Sequence, residues 1–391
     1  MARLRHKVAW QILRFPAYLF LMLKFNYTCV QAPKIPYPFI LVANHVTDFD
    51  PIMVGCSFGQ QMYFVASEHL FRRGFVSKLL SWLVAPIARV KGSTDTVSAM
   101  NIMRALKHKS NVGLFAEGDK SWDGRTGRLH PTTGRLIKAS RAALVTYKLT
   151  GGYLTSPRWS KLLRRGKMHG RMVNVYTPDR LAQMTAEEIT AAIDADIYED
   201  AYAAQRREHI RYRGKALASG LENALYACPS CAQVCRLKSE GDQFSCTCGL
   251  TARFNEYGFF EGEDLPFETV AEWDAWQEQF LRQFALTAGE EPIYEDHGQS
   301  LWRIGTDHSE SLVTSGTLRL YKDRLTLGGF SVPLGKLYQM GVYGPAHIVF
   351  SAEGVNYEIK SGRMRSGRKY LTMYGILTSA ASGGGANAAN I

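Results

Sequence analysis

Cysteine is scarce in this sequence, and the common nucleic-acid signatures are missing. Seven cysteines occur among 391 residues, two of them isolated at Cys29 and Cys56, and no secretion signal precedes them. This usage favours a reducing compartment, and metal binding over disulfides. No aromatic-basic motif typical of RNA-binding modules is present. The net charge of +12 favours an anionic partner, either nucleic acid or an anionic membrane surface, without choosing between them.

The opening segment lacks both acidic residues and long apolar runs. No Asp or Glu occurs before Asp48, and the longest apolar run, 15–23, has nine residues and contains Pro16. A membrane-spanning helix needs about 20 residues, so the run is too broken to cross a bilayer. Arg14 and the absence of a small-residue cleavage site argue against a cleaved signal. We expect residues 1–30 to form a basic amphipathic helix in the membrane interface, or else a helix packed on the core.

Residues 44–50 read N-H-V-T-D-F-D and follow an apolar run, 39–43, that predicts a buried strand. On a continuous helix, the side chains of His45 and Asp50 would diverge by roughly 140°. Pro51 disfavours helical backbone at Asp50 and suits the start of a helix, which predicts a turn that lets the carboxylate reach the imidazole. Alternatively, Asp50 only caps a helix and His45 is a partly buried turn residue.

A second predicted strand, 111–116, ends in the sequence E-G-D-K-S at residues 117–121. Gly118 permits tight backbone geometry, while Lys120 and Ser121 offer a cation and a hydroxyl where open α/β sheets place their ligands. These groups suit a phosphate. Between the two motifs, the apolar stretch 85–92 carries two cations on alternate positions, Arg89 and Lys91. Each of these two stretches, taken alone, is also typical of a solvated turn.

These three stretches, in this order, resemble the glycerophospholipid (lysophosphatidate) acyltransferase superfamily, which is marked by N-H-x-x-x-x-D, an Arg-bearing block and E-G-T-R-S. The resemblance covers roughly residues 30–180. It implies a membrane-associated O-acyltransferase that moves a fatty acyl group from acyl-CoA or acyl-carrier protein to a lysophospholipid. The simplest acceptor is 1-acyl-sn-glycerol-3-phosphate, which would give phosphatidic acid. The sequence departs from the family at Asp119 and Lys120, where the family usually has Thr and Arg. Because Lys120 lacks the bidentate guanidinium of arginine, this departure affects which acceptor headgroup the site would bind.

The resemblance also implies roles for individual residues. His45 is expected to be the general base and Asp50 its orienting partner, with the acceptor hydroxyl attacking the thioester directly because no serine elbow is expected to supply a nucleophile. The acceptor phosphate is expected to contact Arg89, Lys120 and Ser121. The pocket is expected to be shaped by Asn44, Glu117 and Gly118. No redox or organic cofactor is implied.

Two other functions fit the sequence. One is an enzyme of the same superfamily with a different lipid acceptor, such as an amino-lipid or a glycolipid. The other is a non-enzymatic zinc-ribbon protein that binds nucleic acid or membrane. We favour the 1-acyl-sn-glycerol-3-phosphate acyltransferase over both, at the cytoplasmic face of a membrane as a monotopic or peripheral protein. We expect no nucleic-acid partner, because the basic residues cluster beside apolar segments.

Two cysteine pairs, Cys228 with Cys231 and Cys246 with Cys248, predict a metal site. Paired cysteines suit tetrahedral Zn²⁺, and the pattern resembles a zinc ribbon. Four thiolates leave no open position for chemistry, so the role would be structural. The second pair is C-x-C rather than C-x-x-C, which leaves Cys235 as an alternative ligand. Disulfides are the competing use.

The alternation of strands and helices predicts an α/β acyltransferase domain with a mixed, partly parallel sheet flanked by helices. Arg158 and Trp159 follow a predicted strand of this domain and either contact substrate or anchor a loop. Short alternating segments near the end predict a β-rich domain that vaguely resembles a pleckstrin-homology-like or GRAM-like barrel. The expected boundaries after residue 30 are 31–225 for the acyltransferase domain, 226–262 for the zinc-ribbon-like module, 263–289 for a helical linker, 290–379 for the β-rich domain and 380–391 for a disordered tail.

Overall fold

The computed structural model describes residues 4–67, 82–89, 96–305, 309–361 and 366–381. Among these, residues up to 215 together with 256–258 form a first compact unit. Residues 216–255 and 259–381 belong to the second. The tail expected to be disordered lies outside the described residues from position 382 onward.

A seven-stranded sheet forms the centre of the first unit. In chain order its strands are β1 (Tyr27–Cys29), β2 (Phe39–Ala43), β3 (Met62–Ser67), β4 (Ile87–Arg89), β5 (Asn111–Phe115), β6 (Ala143–Thr150) and β7 (Met168–Tyr176). Their order across the sheet is β1-β7-β6-β2-β5-β3-β4. The five strands from β6 to β4 run parallel, whereas β7 is antiparallel to β6. The predicted mixed, partly parallel sheet is therefore confirmed.

Helices flank this sheet and close its core. In chain order they are α1 (Leu4–Phe25), α2 (Asp50–Ser57), α3 (Thr96–Lys107), α4 (Thr133–Ser140), α5 (Gly152–Thr155), α6 (Pro178–Gln183), α7 (Ala186–Ile197) and α8 (Ala201–Glu208). A capping box of Thr185 and Glu188 starts α7. Helix α7 then buries Ile189, Ile193 and Ile197 in one apolar cluster with residues of β2, β5 and β6, which holds the sheet from one face.

Helix α1 is a single helix that continues through Pro16. On one face, the Trp10 indole donates to the Phe58 carbonyl, and Leu21 and Phe25 are fully buried. The opposite face exposes an apolar stripe made of Leu4, Val8, Ile12, Phe15, Leu19 and Leu23. By length and composition alone, with a mean hydropathy of 1.2, this helix could cross a membrane. The nine-residue apolar run counted in the sequence therefore underestimated the length of the apolar helix, which has 22 residues.

The second unit contains two antiparallel sheets. The small one, of order β11-β10-β9-β8, consists of β8 (Leu237–Glu240), β9 (Gln243–Cys246), β10 (Thr251–Phe254) and β11 (Phe260–Glu261). The large one, of order β15-β14-β13-β12-β18-β17-β16, consists of β12 (Tyr294–Ile304), β13 (Glu310–Leu320), β14 (Arg324–Leu327), β15 (Phe330–Pro333), β16 (Leu337–Tyr343), β17 (His347–Ala352) and β18 (Val355–Ser361). The expected β-rich region near the carboxyl terminus is therefore present.

Two helices of the second unit pack on the large sheet. They are α9 (Val270–Thr287) and α10 (Arg368–Ala381), and both contribute side chains to the apolar cluster inside that sheet. Arg368 of α10 forms a two-pronged ion pair with Asp274 of α9, at 2.7 and 2.9 Å. A bidentate arginine pair of this kind adds geometric specificity, so it fixes the register of the two helices.

Helices α4 and α7 approach each other so closely that only glycine fits at one position. A Cβ atom at Gly134 would lie 1.9 Å from the carbonyl oxygen of Ala186. Alanine has the higher helix propensity, by about 1 kcal/mol, but the helices would have to separate to admit the methyl group.

We therefore expect Gly134→Ala to destabilise the protein by about 2 kcal/mol, because the clash outweighs the gain in propensity. The measurement is thermal unfolding followed by calorimetry. Gly59→Ala is the matched control, since its Cβ would lie 3.6 Å from the nearest atom, a distal nitrogen of Arg14. Equal stability of the two variants would contradict the close approach of α4 and α7.

Candidate active site

The two sequence motifs lie side by side because the strands that lead into them are neighbours. Strands β2 and β5 pair in parallel, with Ala43 opposite Phe115 at their carboxyl ends. The segments 44–50 and 117–121 therefore leave the sheet at the same edge. This is the edge at which open α/β sheets bind their ligands.

His45 and Asp50 are in direct contact. The His45 Nδ1 and Asp50 Oδ2 atoms are 2.8 Å apart, and the carboxylate is fully buried while the histidine side chain is 22% exposed. The same carboxylate accepts hydrogen bonds from the backbone amides of Val46 and Thr47 and from the Thr47 hydroxyl. Asp50 thus binds the loop that precedes α2, as the predicted turn requires. The expected non-helical backbone at Asp50 was wrong, because Asp50 is already the first residue of α2 and the turn lies before it.

The remaining contacts of His45 leave one ring nitrogen available. Its ring stacks on Phe115, with centroids 4.6 Å apart and planes at 25°. Because the Asp50 carboxylate can only accept, the neutral ring carries its proton on Nδ1 and a lone pair on Nε2. Among the described residues, no hydrogen-bond partner lies at Nε2. The imidazole can therefore accept a proton from a bound molecule.

Glu117 holds the histidine loop from the neighbouring strand. Its two carboxyl oxygens accept from the backbone amides of His45 and Gly127, each at 2.6 Å. Burial raises the pKa of Glu117 to about 8, although these two amide donors act in the opposite direction. Glu117 therefore joins three chain segments beside the histidine. Its burial favours the protonated, neutral form of its carboxyl group near neutral pH.

Asn44 fixes the exit of β2 on its other side. Its side-chain amide donates to the Leu149 carbonyl and accepts from the Leu149 amide, both at 2.8 Å. These bonds attach the first motif to β6, and Asn44 is buried. Asn44 therefore shapes the loop by holding its backbone.

The cations near His45 each contact a carboxylate. Lys120 Nζ lies 2.9 Å from Asp48 of the first motif, which is largely exposed. Arg158 lies 3.4 Å from Asp119 and donates to the Lys120 carbonyl, with its side chain almost fully buried. Arg158 therefore holds the segment 117–121 in place through Asp119 and the Lys120 carbonyl. The Lys120 ammonium group is the more accessible of the two charges.

The other residues expected to bind phosphate behave differently. The Ser121 hydroxyl donates to Asp123 and accepts from the Gly124 amide, so it is engaged in a turn. Gly118 adopts a left-handed backbone with φ of 78°, as its tight turn requires. Arg89 is the last residue of β4, and its side chain lies outside the described part of the chain.

A G-x-S-x-G sequence does occur, at residues 55–59, but it is not a nucleophile elbow. Ser57 is the last residue of α2, is fully buried, and hydrogen-bonds to the Tyr147 hydroxyl. A nucleophilic serine needs an exposed hydroxyl on a sharp turn from strand to helix. Ser57 therefore cannot serve as the nucleophile of an acyl-enzyme in this conformation.

Sequence reasoning missed three contacts of this site. They are the Thr47 hydroxyl on Asp50, the Phe115 ring on His45 and the Asp48 carboxylate on Lys120. The first was detectable in principle, since Thr47 precedes Asp50 by three residues and can bond locally. The other two depend on the pairing of β2 with β5, which local sequence does not show.

The second unit brings four cysteines together. The Sγ atoms of Cys228, Cys231, Cys246 and Cys248 all lie within 4.8 Å of one another. Two of these separations are 3.7 and 3.8 Å. A tetrahedral zinc site with Zn–S bonds of about 2.3 Å needs sulfur atoms about 3.8 Å apart, so the residues fit this ion. Cys235 instead lies 3.4 Å from Lys369 Nζ.

Part of the first unit matches a known protein family. Residues 27–149 match the family model described as Acyltransferase, and no curated protein sequence matches the chain. Among solved structures, the 1-acyl-sn-glycerophosphate (LPA) acyltransferase PlsC from Thermotoga maritima is similar, with 16% identity and a TM-score of 0.42 over 49% of this chain and 77% of that one. A likeness at this level does not define an activity. The family match shows that residues 27–149 carry an acyltransferase domain.

Proposed function

We propose that this acyltransferase moves a fatty acyl group from acyl-CoA or acyl-carrier protein to a lysophospholipid. The simplest acceptor is 1-acyl-sn-glycerol-3-phosphate, and the product is then phosphatidic acid. The observation that carries the proposal is the 2.8 Å contact between His45 Nδ1 and Asp50, which leaves Nε2 without a hydrogen-bond partner among the described residues. The match of residues 27–149 to the acyltransferase family supports it.

His45 acts as the general base in this mechanism. As the acceptor oxygen attacks the thioester carbonyl, its proton passes to Nε2, the C–S bond breaks, and the leaving thiolate takes up the proton. Asp50 stabilises the imidazolium that forms between these steps, as the acid does in a serine-protease triad. A base positioned in this way increases the rate of the chemical step by about 10²- to 10⁴-fold.

The acceptor phosphate is proposed to bind at Lys120, Arg89 and Ser121. Among the described residues, the Lys120 ammonium group contacts only the exposed Asp48, and a phosphate dianion would displace a carboxylate that is largely in water. Ser121 would contribute by holding the turn that presents Lys120. Asn44, Glu117 and Gly118 keep the two loops at the spacing that the acceptor requires.

A specific observation also favours a second acceptor class. Asp48 and Asp119 place carboxylates on Lys120 and Arg158, which lowers the positive charge available to a phosphate. An amino-lipid or glycolipid acceptor would suit such a site better. Incubating the protein with labelled acyl-CoA and a panel of acceptors, followed by mass identification of the product, separates the two.

The surroundings support a membrane-associated enzyme with a structural metal. The exposed apolar stripe of α1 supports a monotopic or peripheral position at the cytoplasmic face of an anionic membrane. The cysteine set of the proposed zinc-ribbon module, 226–262, would hold Zn²⁺ through four thiolates, an arrangement that stabilises the fold and leaves no coordination position for substrate.

We expect His45→Ala to lower kcat by about 10²- to 10⁴-fold, because the proton acceptor is removed. The variant should still fold, since the amides of Val46 and Thr47 and the Thr47 hydroxyl continue to bind the buried Asp50 carboxylate. Acyl transfer from labelled acyl-CoA is the measurement. His169→Ala provides the control, since this partly buried histidine contacts Thr28 of β1 rather than the motif loops. A His45→Ala enzyme with most of its activity would remove His45 from the base role.

We expect Lys120→Ala to raise the KM for a phosphate-bearing acceptor by about 10- to 100-fold, the loss of one charged hydrogen bond. The KM for the acyl donor and the KM for an acceptor without phosphate should stay unchanged. Steady-state kinetics with both acceptors provide the comparison. An unchanged KM for the phosphate-bearing acceptor would exclude Lys120 from the headgroup site.

We expect the purified protein to contain zinc and the Cys231→Ser variant to lose it, with a lower melting temperature, because metal binding and folding are coupled at such sites. Elemental analysis and calorimetry measure the two effects. Cys235→Ser is the matched control and should keep its metal, since its sulfur contacts Lys369. Loss of zinc from Cys235→Ser would instead include this residue among the ligands.

A further inference from the structure

The edge of the first sheet that lies opposite His45 carries a continuous concave surface. Three clefts, of about 940, 720 and 430 Å³, open along the amino-terminal ends of the strands. The first two clefts share Tyr37 and Pro38, just before β2. The first and third share Arg104 and His108, just before β5. The three clefts therefore form one surface.

Among the described residues, the Asp, Glu, Lys and Arg side chains that line this surface are all cationic. Its lysines and arginines, here called the basic edge, are Arg5, Lys7, Lys34, Arg104, Lys107, Lys109 and Arg141. All except Arg5 are exposed. No Asp or Glu is found among the described residues that line the three clefts, and no carboxylate of the described chain pairs with these seven side chains. The basic edge therefore presents concentrated charge to an anionic partner.

Helix α1 connects the basic edge to the candidate active site. Near its start, Lys7 lines one cleft, and the apolar stripe begins on the same turn of the helix with Leu4 and Val8. Near its end, the rings of Phe20 and Phe25 pack against the ring of Phe49, with centroids 6.0 and 5.0 Å from the Phe49 centroid. Phe49 directly precedes Asp50. A helix of 22 residues is about 33 Å long, so the apolar stripe runs from the basic edge to the first motif.

We propose that the basic edge binds the headgroups of anionic lipids, and that it forms a single membrane-binding surface with the apolar stripe of α1. In this arrangement α1 lies in the interface, the basic edge contacts lipid phosphates at one end, and the loop of His45 lies at the bilayer at the other. The inference rests on the proposed membrane association and not on the catalytic roles of His45 and Asp50.

The apolar stripe is the reason to favour a lipid surface over other anions. A nucleic acid or an acidic protein would neutralise the cations but would leave six large apolar side chains of α1 in water. A bilayer interface accepts both groups at once, since acyl chains cover the stripe and headgroups pair with the cations.

The test is vesicle flotation of the full chain with a charge variant, Lys34→Gln with Arg104→Gln and Lys107→Gln. The matched control is Arg171→Gln with Arg207→Gln and Lys215→Gln, which removes three exposed cations of the same unit outside the clefts. On vesicles of phosphatidylcholine with phosphatidylglycerol, we expect the charge variant to bind about a hundredfold more weakly and the control to bind as wild type. On phosphatidylcholine alone, all three proteins should bind equally through the apolar stripe.

Several results would overturn the proposal. The first is unchanged binding of the charge variant to the mixed vesicles, and the second is an equal loss of binding for the control. The third comes from a pull-down with an acidic acyl-carrier protein: if the charge variant loses this protein but still binds vesicles, the basic edge binds the carrier and not lipid. Acyl transfer in neutral detergent micelles should be the same for the charge variant and the wild type. If the wild type transfers no acyl group at all, the proposed function fails while flotation still decides the membrane surface.

Discussion

The buried carboxylate of Asp50 is the constraint on which the candidate site depends. A carboxylate without exposure to water is strongly destabilising unless hydrogen bonds replace its hydration. Here the replacements come from the backbone amides of Val46 and Thr47, the Thr47 hydroxyl and the His45 ring. Satisfying this one charge therefore fixes the conformation of the whole loop, and the orientation of the imidazole follows from the same set of bonds.

The parallel pairing of β2 and β5 extends this order to the second motif. Because the two strands end at the same edge, Glu117 can accept from the His45 amide and Lys120 can reach Asp48. The geometry of the candidate site is thus a product of sheet register as much as of the motif residues. Gly113 within β5 shows how tight the packing beneath is, since a Cβ atom there would lie 2.4 Å from the Phe64 ring.

Local sequence was sufficient for features that depend on neighbouring residues. The strand before His45, the turn at Asp50 and the four-cysteine set follow from apolar patterning, from Pro51 and from the spacing of paired thiolates. It was insufficient where distant segments meet. The stacking of His45 on Phe115 and the pairing of Arg158 with Asp119 both need the strand order. The continuity of α1 through Pro16 also escaped a simple count. Pro16 lies in the interior of this helix, where a proline removes one backbone hydrogen bond and costs about 3 kcal/mol, and the burial of Leu21 and Phe25 against the rest of the unit offsets that cost.

The contact between Lys120 and Asp48 has a consequence for turnover. An ammonium group that already holds an internal carboxylate gains less on binding a phosphate than a solvated one would, because the first partner must be given up. The same carboxylate can recapture the ammonium group once the acyl chain has been transferred. At the proposed phosphate site, the exposed Asp48 carboxylate would then weaken the binding of the acylated lipid to Lys120 and speed its release into the bilayer.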